Sequence, residues 1–206
     1  MRIDIAKHQV KKNEIINAAF KSIYEYGIEG VSMRIIAREA HVNQATLHYY
    51  FINKENLLVE LLKVLFDKCV SNITKRYQET DSPQKKLREI ILSGKDSIET
   101  QKEMFIVFMD FWSMSIRNAT MRELFSNLYL KISDLMENVY EDGVKENVFP
   151  PLPRGMISVL IFGLVEGIGL QWHMRDKAVD LDGCFDLLIS DLFQKLHLED
   201  SSFKIS

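Results

Sequence analysis

The chain is short of the residues that interrupt helices. Four prolines and nine glycines serve 206 residues, and long periodic stretches run between them. No strand signal emerges, so helices are expected throughout. Cysteine is scarcer still: Cys69 and Cys184 lie far apart, and neither belongs to a Cys-x-x-Cys pair. They read as buried thiols in a reducing cytoplasm. The five histidines are scattered, no His/Cys/Asp spacing suits a metal, and no glycine-rich phosphate loop follows a strand. No metal and no cofactor are expected, and an enzyme finds no support in local motifs. A positive excess is missing as well. The net charge is −3, so the chain as a whole does not read as a nucleic-acid binder. The most apolar stretch, residues 156–172, contains Ser158, Glu166 and three glycines and is slightly short for a membrane span. The first fifteen residues are polar and charged, so no signal peptide is expected. Together these place the protein in the cytoplasm, with no membrane partner.

What is present is unevenly distributed. Residues 1–57 hold eight Lys and Arg against six Asp and Glu, whereas the remainder holds 18 against 23. A mildly basic first quarter on an acidic body suits an N-terminal DNA-contacting part. Ile16, Ala19, Phe20 and Ile23 fall on one helical face, and Gly27 stands where a left-handed C-cap is wanted. This predicts a helix over 12–26, preceded by a basic arm with Lys7, Lys11 and Lys12. Ser32 is a good N-cap for a helix over 33–40, and Asn43 for a second over 44–50. Two short helices joined by three or four residues follow the helix-turn-helix plan, and Ala37 and Ala40 let them approach closely.

Asn53 is a third N-cap, and its helix runs to about 77 with a broad apolar face. Further helices are expected over 83–99, 103–116, 118–147, 154–174 and 183–197, about nine in all. The stretches 103–116 and 154–174 are apolar nearly all round and are expected to be buried. The tail after Leu198 is polar and expected to fray.

The order Gly27, Gly30-Val31-Ser32, Ile36-Ala37, Ala40, Val42, Thr46-Leu47, Tyr49, Phe51, Lys54, Leu57-Leu58 resembles the tetracycline-repressor (TetR) family of transcription regulators. The match is dense over residues 12–58. Four positions depart from the family pattern, among them Ile35, which stands where a polar residue is usual. His41 stands where a turn glycine is usual, and His48 and Tyr50 exchange the usual tyrosine and histidine around Tyr49. The resemblance implies an all-α fold: a helix-turn-helix domain at 1–55 and a ligand-binding and dimerisation domain at 56–206.

In a helix-turn-helix the second helix enters the major groove with its N-terminal end. Asn43, Gln44, Ala45 and Thr46 then stand nearest the bases. A glutamine amide can pair with adenine, and the Ala45 and Thr46 methyls can meet a thymine methyl. His48 and Tyr49 are placed to bond phosphate. Lys54, and Ser32 with Arg34, sit at helix starts, where free N–H groups favour an anion. Tyr50 either joins them or packs on the first helix.

For the larger domain the resemblance implies a homodimer through the last two long helices, with Gly163, Gly167 and Gly169 allowing close approach, and a small-molecule effector. The partners expected are therefore double-stranded operator DNA, a second copy and the effector. Asp110 and Glu166 interrupt apolar runs, and a buried carboxylate requires a partner. That partner is an arginine, a backbone group, the second subunit or a cationic ligand boxed by Trp112 and Phe108. The expected effector site is lined by Phe108, Phe111, Trp112, Leu128 and Glu166 and accepts a largely apolar molecule. The function that follows is a ligand-responsive regulator, a repressor released from a pseudo-palindromic operator. The alternative is a protein-interaction adaptor whose DNA-binding head no longer works.

Overall fold

The computed structural model describes residues 2–78, 80–175 and 178–197, and they are helical with no strand among them. The helices are α1 (Arg2–Gly30), α2 (Met33–Glu39), α3 (Gln44–Tyr50), α4 (Lys54–Tyr77), α5 (Pro83–Thr100), α6 (Lys102–Arg117), α7 (Ala119–Lys145), α8 (Met156–Met174) and α9 (Leu181–His197). Periodicity therefore placed most boundaries within two residues. The frayed tail expected after Leu198 lies outside the described residues.

The largest departure is at the start. The residues expected to form a loose basic arm are helical, so α1 begins at Arg2. Gly27 does take positive φ, but with φ 69° and ψ 162° it kinks the helix instead of closing it with a left-handed cap. That region of backbone space is essentially reserved for glycine. One further turn carries the chain to Gly30.

The chain packs as two compact units. The first comprises the chain up to Lys68 together with Gln101–Leu128; the second comprises Cys69–Thr100 and the chain from Tyr129 onward. In the first, Ile15, Ala19 and Ile23 of α1 meet the inner faces of the short helices, where Ile36, Leu47 and Phe51 are completely buried. α6 also packs on α1, and Arg122 caps α6 by donating to the Ser115 and Ile116 carbonyls at 3.2 and 2.7 Å. A cation there meets the negative end of the helix dipole.

In the second unit α8 packs on α5 and α9. Gly94 of α5 lets Val165 of α8 come close: a Cβ at Gly94 would lie 2.7 Å from a Val165 methyl. The connection from α7 to α8 is held by Tyr140, which stacks on Phe149 and donates to the Pro150 carbonyl at 2.8 Å. Among the described residues the most buried acid is Glu137, which sequence patterning did not single out. It accepts from the Ser158 N–H at 3.0 Å and so supplies the N-terminal partner that Gly155 lacks.

Three expectations of burial need correction. α6 buries Val107, Phe111 and Ser115 but exposes Trp112 and Ile116. α8 exposes Val159, Leu160, Leu164, Leu170 and Met174. A helix that is apolar all round needs cover on every side, and in the single chain these two have it on one side only. α8 is also, among the described residues, long and apolar enough to cross a membrane by length and composition, with mean hydropathy 1.4. The cysteines are partly buried and not disulfide-bonded, and burial pushes the Cys69 thiol up to about 11.

Candidate nucleic-acid interface

Three side-chain caps build the interface. Ser32 Oγ accepts from the Ile35 N–H at 3.3 Å, Asn43 Oδ1 from the Thr46 N–H at 2.7 Å, and Asn53 Oδ1 from the Asn56 N–H at 2.8 Å. Each starts a helix by satisfying an amide that has no partner within it. Between the first two, His41 adopts φ 52°, the left-handed turn expected where glycine is usual. The Val42 N–H reaches back to the Ala37 carbonyl at 2.9 Å and closes α2. Leu47 and Phe51 then anchor α3 from below with no exposed surface.

That anchoring decides what α3 shows to solvent. Gln44 and Ala45 are exposed, and Thr46 is half-exposed. Tyr49 is 73% exposed, and Arg34 and His48 also face solvent. Asn43 is exposed, but its carbonyl oxygen is already engaged as the cap. His48 Nδ1 lies 3.3 Å from the Ile52 carbonyl.

Lys54 behaves differently from an open phosphate contact. Its ammonium donates to the Ile28 carbonyl at 2.5 Å. The kink at Gly27 leaves carbonyls at the end of α1 without helical partners, and a lysine is attracted there. Lys12, from the expected arm, is likewise engaged: it pairs with Glu60 at 2.6 Å and holds that carboxyl below its usual range. Another residue of the same segment emerged only in the fold. His8 stands 4.6 Å from the Tyr50 ring and 5.8 Å from Tyr49, centroid to centroid. No spacing rule connects positions 41 and 42 residues apart, so only the long first helix could have suggested it.

The expected effector residues divide between the units. Phe108 packs against Phe66 and Phe125 at 5.2 and 5.0 Å, while Phe111 and Leu128 are buried. Trp112 is 47% exposed. Glu166 belongs to the second unit, and burial raises its carboxyl to about 7. Asp110 has found the backbone partner: Oδ2 accepts from the Ile28 N–H at 3.3 Å. Burial pushes its carboxyl up, and the Ile28 hydrogen bond partly offsets that. A cleft of about 390 Å³ opens beside it, lined by Tyr26, Gly27, Asp110 and Arg117 among others.

Comparison with known proteins agrees with this geometry. Residues 15–61 match the family model for bacterial regulatory proteins of the tetR family, and residues 83–188 match that for the C-terminal part of BetI-type transcriptional repressors. The HTH-type transcriptional regulator BetI of Burkholderia thailandensis is 23% identical over 184 residues, covering 89% of this chain and 92% of the relative. Among solved structures, the fatty acid degradation regulator FadR from Bacillus halodurans superposes with a TM-score of 0.80 at 22% identity, covering 92% of this chain and 97% of that one. A transcriptional regulator from Saccharomonospora viridis, solved in complex with choline, gives 0.78 at 19% identity, with 89% and 95% covered.

Proposed function

Since the chain belongs to the TetR family of bacterial regulatory proteins and is a DNA-binding transcriptional regulator, we propose that it is a cytoplasmic repressor that grips a pseudo-palindromic operator as a homodimer and releases it when a small molecule binds. One observation supports the reading best. α3 is fixed from below by Leu47 and Phe51, while Gln44 and Ala45 at its N-terminal end stand exposed. That is the disposition of a reading helix. Gln44, Ala45 and Thr46 read base edges. Arg34, His48 and Tyr49 hold phosphate, with Ser32 and Asn43 setting the two helix starts. Lys54 contributes through its helix end more than through its engaged ammonium.

Residues 1–55 take the DNA-gripping role and 56–206 the effector and dimer roles. The bare apolar faces of α8 and α9 are the surface for the second copy. Val159 and Leu187 are each about 70% exposed, and a Cβ at Gly163 or Gly167 would meet nothing within 4 Å. Two copies pairing there bury this surface without a bilayer, and two reading heads suit half-sites about one helical turn apart.

The effector is largely apolar and is received near Phe108, Phe111, Trp112 and Leu128 of the first unit. Asp110 already has a backbone partner in Ile28 and so does not need a cationic ligand to satisfy it. A ligand releases DNA only through its different affinity for the gripping and released forms.

The test is selection of DNA from a random pool by the purified protein, followed by affinity at two salt concentrations. Wild type is expected to select a palindrome and to weaken as salt rises, because counterions are released on binding. Gln44→Ala should lose about tenfold or more in affinity and relax one base position. Tyr49→Ala should weaken all sequences alike. Release of the selected DNA by fatty acyl compounds but not by choline is the expected effector pattern. Release by choline alone would overturn the apolar reading, and failure to select any sequence would overturn DNA reading itself.

A further inference from the structure

Ile28 is held at both ends of its backbone. Its N–H donates to Asp110 Oδ2 of α6 at 3.3 Å, and its carbonyl accepts from Lys54 Nζ at the start of α4 at 2.5 Å. The kink at Gly27 makes this possible, because it turns the Ile28 N–H out of the helical ladder. The positive φ, not space, calls for glycine at 27: a Cβ there would sit in ordinary contact, 3.6 Å from the same carboxylate oxygen. Ile28 itself is buried, and so is Val31, leading directly to the Ser32 cap of α2.

The positions in sequence give the arrangement its meaning. α2, the turn and α3 all lie between Ile28 and Lys54. The Lys54–Ile28 bond therefore closes a loop around the whole helix-turn-helix, and Asp110 fastens the neck of that loop to α6. We propose that Asp110 is a positioning residue for operator binding: together with Lys54 it clamps Ile28 and so fixes how the helix-turn-helix is presented. The proposal rests on the reading of α3 as the DNA-contacting helix. It adds a residue more than fifty positions beyond the DNA-binding segment, acting through a main-chain group and without touching DNA.

The roles of the two partners differ in a way that can be measured. Asp110 is acidic and carries no phosphate contact, so its loss leaves the salt dependence unchanged, whereas losing a phosphate contact lowers the slope by about one. A hydrogen bond to a charged group corresponds to about tenfold in an equilibrium constant. If both residues act on one neck, the second cut adds little after the first.

The experiment measures affinity for the DNA that wild type selects, using Asp110→Ala, Asp110→Asn, Lys54→Met and the double variant Asp110→Ala/Lys54→Met. Amide hydrogen exchange at Ile28 is followed in parallel, since the adjoining cleft admits water. Asp110→Ala is expected to weaken operator binding about tenfold with an unchanged salt slope and to speed exchange at Ile28. Asp110→Asn should recover most of both, because its amide oxygen still accepts from the Ile28 N–H. The double variant should be scarcely weaker than Lys54→Met. If Asp110→Ala fails to fold, Asp110→Asn and Lys54→Met carry the comparison: near-wild-type affinity and exchange in the first, and weakened binding with faster but not free Ile28 exchange in the second, are expected. Wild-type affinity in Asp110→Ala, no rescue by Asp110→Asn, or strictly additive losses would overturn the proposal. Wild type that selects no sequence would instead overturn the DNA reading of α3, and equal Ile28 exchange in wild type and Asp110→Ala would then remove the neck as well.

Discussion

His41 makes the turn of the helix-turn-helix with φ 52°, a conformation that costs an L-residue about 1 kcal/mol or more. Histidine tolerates it better than most, and glycine would remove the strain while adding freedom to the unfolded chain. The two effects nearly balance, so His41→Gly is expected to raise stability by about 0.5 kcal/mol. A shift of the denaturant midpoint measures it, and a lower midpoint would mean that the imidazole makes a contact worth more than the strain. The same scale shows what local chemistry makes legible. Ser32, Asn43 and Asn53 were readable as caps because each acts on an amide three residues away. The Lys54 contact was hidden for the opposite reason: its partner, Ile28, is 26 residues distant and is exposed only by a kink.

Among the elements, the helix boundaries followed from periodicity and breakers, but the company each helix keeps did not. α6 and α8 are nearly all apolar, and composition does not tell a core helix from one that waits for a partner. The glycines of α8 offer the discriminating test. Gly163 faces open space, so Gly163→Trp should leave the fold of one chain intact while obstructing a second copy. We expect the proposed dimer to weaken ten- to a hundredfold, about 1–3 kcal/mol, in sedimentation at decreasing concentration. An unchanged dimer would move the interface away from this face. The helical start of α1 was also hidden, since a short polar segment with lysines reads as an arm until its packing is known. His8 against Tyr50, and Lys12 paired with Glu60, supply that packing.

For the molecule as a whole, Glu166 links stability to pH. Burial raises its carboxyl from 4.5 to about 7, so the folded chain keeps a proton that the unfolded chain releases. A raised carboxylate works against folding once deprotonated. Its contribution is therefore harmless below about pH 4.5, grows unfavourable as pH rises to about 7, and stays constant above. Discounted for partial exposure, the penalty is about 1–2 kcal/mol at pH 8. Glu166→Gln should gain that much at pH 8 and nothing at pH 4, as read from paired melting curves. An equal gain at both values would tie the effect to packing instead of titration.

The division of labour at the start of α3 carries over to descent. Asn43 secures the helix through the Thr46 main-chain N–H, Leu47 and Phe51 moor it, and the side chains of Gln44, Ala45 and Thr46 between them have no part in either task. On the proposed reading of α3, mutations at those three positions change the DNA word without endangering the architecture. A duplicated gene could thus acquire a new target in a few steps, and a laboratory library confined to residues 44–46 would explore targets with most of its members still folded.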